Sequence, residues 1–237
     1  NRVESSTNSR AFFGAENPDF QTLLDQSAEA WGNIWKKADI ELDGDRLAQK
    51  LLRLHIYHLM SSISPHNAGI DAGIPARGLH GEAYRGHIFW DEIFILPLLN
   101  LRMPLLTKTL LRYRYRRLRE ARYAARQAGF KGAMFPWQSG SDGREESQRI
   151  HLNPRSGRWT PDLTYLQRHV SANVAYCVWK YFQVTGNPEF MTLYGAELFL
   201  EIARFWASAA TYNRTLDRYE IKGVMGTDEF HTGYHDR

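Results

Sequence analysis

The segment Arg85-Gly86-His87-Ile88-Phe89-Trp90-Asp91-Glu92 runs directly into Ile93-Phe94-Ile95-Leu96. A polar, glycine-containing loop meets an apolar helix here, with an indole and two carboxylates at the junction. Helical spacing of apolar residues extends outward from it in both directions. Upstream, Leu23, Leu24, Ala28, Trp31 and Trp35 predict a helix over 20–37. Asp43-Gly44-Asp45 breaks the chain and caps a second helix over 45–63. The glycine-rich stretch 69–81 is a loop. Downstream, helices are predicted over 89–101 and 104–128, with Pro104 in a first turn. Residues 129–161 read as a long irregular connection, a kind of segment that is functional or disordered in compact domains. Two further helices span 163–185 and 188–211, the second apolar over most of its circumference and so packed on two sides. The alternation in 218–224 predicts a short strand, pairing near Tyr212 or with the 150–160 region. The expectation is an all-α chain of about six helices in antiparallel pairs, with a short β-hairpin and the chemistry in the loops.

Bulk properties narrow the function classes. The 237 residues carry a formal net charge of +4, which is weak grounds for nucleic-acid binding. Eight basic residues crowd the 104–128 helix, from Lys108 to Arg126, beside one acid, Glu120. Such a face is more often solvated or paired with carboxylates elsewhere than bound to nucleic acid. One cysteine, Cys177, excludes an internal disulfide and favours a reducing, cytoplasmic setting. It sits on an apolar helical face as a core residue. No apolar run reaches ~18 uncharged residues, so no membrane span is expected. Residues 1–17 read as a linker from the interior of a longer polypeptide, and 18–237 as the helical domain.

A second segment, Gly226-Thr227-Asp228-Glu229-Phe230-His231, again sets carboxylates among aromatics and a glycine. Flat apolar faces cover sugar ring carbons, and carboxylates accept from hydroxyls. A carboxylic acid with a raised pKa protonates a glycosidic oxygen. Each residue also has a plainer reading. Glu229 could be a solvated loop charge, Asp228 a turn cap, and Trp90 and Asp91 a core indole and an acid on a helix dipole. Trp137, after Pro136, could staple a loop into the core. The scattered histidines lack metal-ligand spacing, so no metal is expected. Residues 140–146 lack the Lys-Ser/Thr of a phosphate loop.

Four segments together carry a resemblance: Gly78 to Asp91, Gly132 to Ser139, His169 to Tyr176 and Gly223 to His231. In this order they resemble the central catalytic domain of glycoside hydrolase family 65, the family of maltose, trehalose and kojibiose phosphorylases and acid trehalases. The resemblance implies an (α/α)6 toroid of which this chain supplies the first half. It implies inverting cleavage of an α-glucosidic bond, with inorganic phosphate as co-substrate and no cofactor. By the same match Glu229 is the general acid and Trp90 and Asp91 hold the sugar. Trp137 is expected to wall the same pocket and Asp228 to lie beside the acid. The family motif at the acid reads Gly-Pro-Asp-Glu-Tyr-His; here Thr227 and Phe230 replace the proline and the tyrosine. The expected partners are an α-linked glucose disaccharide, phosphate and a second copy in a homodimer, without nucleic acid or membrane. Alternatives are an α-glucoside hydrolase and a non-catalytic sugar-binding or assembly fragment.

Overall fold

The computed structural model describes residues 18–63, 65–78, 81, 83–88 and 90–227. The chain divides into two compact units, Asn1–Ile56 and Tyr57–Arg237.

In the first unit, α1 (Phe20–Ala38) starts at Asp19, whose carboxylate accepts from the Thr22 amide at 2.7 Å. The expected apolar stripe of α1 is not a core stripe: Leu23 and Leu24 are exposed, and only Ala38 is buried. The next helix, α2 (Arg46–Ser62), starts as predicted, with Asp45 accepting from the amides of Leu47 and Ala48 at 2.9 and 3.0 Å. Arg53 grips Asp39 with two nitrogens, at 2.9 and 2.6 Å, and so ties the end of α1 to α2. That fork holds the Asp39 carboxyl below its usual range.

The second unit is helical with two small hairpins. After α2 come α3 (Glu92–Arg102), α4 (Pro104–Arg116) and α5 (Leu118–Gln127). The hairpin β1 (Ile150–Asn153) and β2 (Arg158–Pro161) leads to α6 (His169–Thr185). Then α7 (Pro188–Phe190) passes through a π-helical turn, Met191–Gly195, into α8 (Ala196–Ala209). The chain closes with β3 (Ala210–Asn213) antiparallel to β4 (Arg218–Ile221), Ala210 opposite Ile221. This is the pairing expected near Tyr212. The β1–β2 hairpin, with Ile150 opposite Pro161, lies inside the stretch expected to be irregular.

The core is built where α3, α4, α6 and α8 meet. Leu96 and Leu99 of α3, Leu110 of α4, Val170, Val174 and Val178 of α6, and Leu198, Ile202 and Phe205 of α8 are all buried. Each such side chain contributes about 1.5–3 kcal/mol by leaving water. Cys177 belongs to this core, and burial pushes its thiol well above the usual range. Two details set the loop end of the unit. The helix expected over 104–128 is broken at Arg117, whose guanidinium takes the Tyr113 carbonyl at 3.0 Å. The Arg117 amide turns instead to the Arg114 carbonyl at 3.1 Å, and α5 starts at the next residue. Gly132, at φ +70°, presses the following loop onto α8: a Cβ there would lie 2.1 Å from the Glu201 carbonyl oxygen. The Ala133 amide donates to that same oxygen at 3.0 Å.

Candidate active site

The helices α3 and α6 lie against each other, and two of the sequence-predicted residues, Trp90 and Asp91, stand at the N-terminal end of α3. Trp90 and Asp91 directly precede α3, and both are half-buried. The Asp91 side chain does not cap the helix. The Trp90 indole stands edge-on between Phe94 of α3 and His169, the first residue of α6, with ring centroids 5.3 Å from each.

Behind this pair sits an ion pair almost out of solvent's reach. Glu92 is 4% exposed, and Arg114 of α4 donates to its Oε2 from Nε and Nη2, both at 3.0 Å. Burial raises the Glu92 carboxyl above its ordinary range, and the Arg114 guanidinium pulls against that shift. A buried arginine thus holds the start of α3, and it comes from the basic helix. The other basic residues of that helix are largely paired too. Arg116 and Arg117 meet Asp71, Arg122 meets Glu197 and Glu201, and Lys108 meets Glu189.

The loop into α3 is strained and laced to its neighbour. Tyr84 and Arg85 both have positive φ, 52° and 55°, ahead of Gly86 at 71°. Such backbone persists only where surroundings over-determine it. Here Ile88 and Ser139 exchange backbone hydrogen bonds of 3.1 and 2.7 Å. Arg85 donates to Gln138 Oε1 at 3.3 Å and to the Glu146 carbonyl at 2.9 Å. The Glu145 carboxylate accepts from the amides of Trp137, Gln138 and Ser147 at 2.8, 3.1 and 3.1 Å. Trp137 is held inside this lacing, 2% exposed and edge-on to Tyr84 at 5.6 Å. The structure therefore joins its loop to the Trp90 segment through the backbone and sinks its ring beneath the loop surface. Asp228 and Glu229 lie outside the described residues. Among the described residues before them, the Met225 amide donates to the Leu166 carbonyl at 3.0 Å, three positions before His169.

The sequence reading missed the polar lining of α6. Both ring nitrogens of His169, Nδ2 of Asn173 and both amide atoms of Gln167 are buried with no hydrogen-bond partner among the described residues. Burial lowers the His169 pKa to about 4, so the ring is neutral at pH 7. Buried polar atoms are nearly always satisfied, and His169 brings two such atoms against the Trp90 indole. The available signal was an asparagine one turn beyond a histidine, inside the apolar stripe of Val170, Val174 and Val178. Among the described residues, no group of three or more His, Cys, Asp or Glu side chains could hold a metal ion. No described helix is long and apolar enough to cross a membrane.

Comparison with known proteins defines the class. The chain matches the glycosyl hydrolase family 65 central catalytic domain over residues 53–237. It belongs to that family. It is 55% identical over 215 residues to an uncharacterized glycosyl hydrolase of Mycobacterium tuberculosis, covering 91% of this chain and 16% of that protein. It is 43% identical over 230 residues to the kojibiose phosphorylase of Thermoanaerobacter brockii, covering 95% and 29%. The solved structure of a putative kojibiose phosphorylase from the human microbiome superposes with a TM-score of 0.75 at 29% identity, over 90% of this chain and 27% of that one. The chain thus spans less than a third of the length of each of these relatives.

Proposed function

We propose that this chain is the first half of an (α/α)6 catalytic domain in an inverting α-glucoside phosphorylase. In this reading Glu229 protonates the leaving glycosidic oxygen, and phosphate attacks the opposite face of the sugar to release β-glucose 1-phosphate. Trp90 covers the ring carbons. Asp91, neutral His169 and Asn173 meet hydroxyls, and Asp228 raises the acid's pKa through like charge. Phosphate is a co-substrate, and no cofactor takes part.

The observation that carries the reading is the anchoring of Met225 to Leu166. Met225 precedes Glu229 by four residues in sequence, and Leu166 precedes His169 by three, so the anchor supports a site shared by the two segments. Phosphorolysis is preferred to hydrolysis because a kojibiose phosphorylase is 43% identical across nearly all of this chain. A second reading, a non-catalytic sugar-binding or assembly piece, is favoured by the exposed aromatics Tyr176, Trp179 and Phe199 on α6 and α8. In that case two copies would bury this face.

The test is to incubate the protein with phosphate and α-linked glucose disaccharides and to assay β-glucose 1-phosphate. Phosphate-dependent product that falls at least ~100-fold in Glu229→Gln is expected. Free glucose formed without phosphate would shift the reading to a hydrolase. Full activity in Glu229→Gln would end it. A folded chain without product that dimerises would favour the second reading.

A further inference from the structure

A cleft of about 610 Å3 opens between α5, the loop 134–149 and the turn before α6. None of Trp90, Asp91 and His169 lines it. Its apolar lining is Tyr123, Ala124, Met134, Phe135, Pro136 and Tyr165. Five arginines surround this floor: Arg119, Arg126, Arg144, Arg149 and Arg168.

The carboxylates do not balance them. Only Glu120 and Glu145 line the cleft, and the Glu145 carboxylate is occupied by three backbone amides and by the Ser147 hydroxyl at 2.5 Å. Arg144 is neutralised by Asp142 at 2.6 Å. The other four arginines form no ion pair among the described residues. Arg149 stacks 3.7 Å over the Tyr165 ring and Arg168 4.7 Å over Phe130, so both guanidinium planes are held in place. The Nε of Arg168 is buried and has no hydrogen-bond partner. Burial pulls its pKa down, against a smaller opposing pull from Tyr165.

We propose that this cleft binds a phosphate monoester whose body is a ring with an apolar face. A carboxylate is satisfied by one arginine fork, whereas several unpaired guanidiniums suit a dianion with three acceptor oxygens. The flat apolar floor suits a ring, and the volume lies within the usual range for small-molecule sites. A sugar phosphate and a nucleoside monophosphate share this chemistry.

Isothermal titration of the whole chain with AMP, glucose 6-phosphate, inorganic phosphate and glucose tests it. One or both esters should bind at least ~10-fold tighter than inorganic phosphate, and glucose should not compete. Arg126→Ala and Arg149→Ala, both exposed side chains, should each weaken the ester ~10-fold with unchanged circular dichroism. Arg168→Lys should weaken it as well, because the charge remains but the fork is lost. Ester and inorganic phosphate binding equally would overturn the proposal, as would no binding, or binding indifferent to Arg126→Ala and Arg149→Ala. These outcomes leave the Glu229 assay untouched.

Discussion

Replacing Arg114 by methionine should separate the cost of breaking the buried ion pair from the worth of having it. Glu92 is 4% exposed and takes both guanidinium bonds, at 3.0 Å, on one oxygen. Its other oxygen, Oε1, is buried with no partner. Once Arg114 is gone, nothing near Glu92 stabilises its charge, and the carboxyl must protonate or draw in water. Such single removals cost about 3–5 kcal/mol. For a domain of this size each kcal/mol moves the melting temperature by roughly 2–4 °C, so a drop of roughly 6–20 °C is expected. Replacing both partners by methionine removes the charge and its desolvation together. The double variant should lie within about 2 kcal/mol of the parent chain, and it is allowed to be more stable. Urea midpoints followed by circular dichroism for the parent, both single variants and the double variant give the coupling energy directly. If the double variant loses as much as Arg114→Met and Glu92→Met combined, the residues act independently. The account of a compensated buried pair at the start of α3 then fails.

Two further outcomes follow from local geometry. Gly132→Ala places a methyl group against the α8 backbone at a positive φ, so about 3 kcal/mol or more should be lost in chemical denaturation, while Gly157→Ala, with open space around it, should cost far less. His169 titrates near 4 when folded and near 6.5 when unfolded, so the unfolded chain binds more protons between these values and stability falls as pH drops through that window. Discounted for the partial solvent access of the ring, the loss is about 1–2 kcal/mol, and it should vanish in His169→Gln when urea midpoints are compared at the two ends.

The helices were legible because apolar residues recur at helical spacing over long windows, and Asp45 announced the start of α2 in the plain sequence. The break at Arg117 was not legible. It depends on a side chain whose Nη1 donates both to the Tyr113 carbonyl of its own helix and to Asp71, while its Nε donates to the Ser141 carbonyl. The β1–β2 hairpin was hidden because all of its strand residues are exposed and no alternation of burial marks them. Its turn was readable, since Asn153 accepts from the amides of Arg155 and Ser156 ahead of Gly157 at φ +64°. At the candidate site, Trp90 could be picked out by its place at a loop-to-helix junction. Gln167 could not, because a polar residue gives no sign in sequence of whether water reaches it, and His169 and Asn173 were marked only by their one-turn spacing inside an apolar stripe. Trp137 was recognisable as important, but its depth is set by Glu145, eight positions later, fastening the backbone around it.

The short ladder that runs from Pro75 through Ile88 and Ser139 to Glu145 makes two connections from different helical hairpins into one sheet-like strap. Neither connection can then shift alone. Lengthening the exposed turn at 141–142 would pull on rungs that end two residues before Trp90, so the aim of the indole can be retuned from a surface position remote from it in sequence.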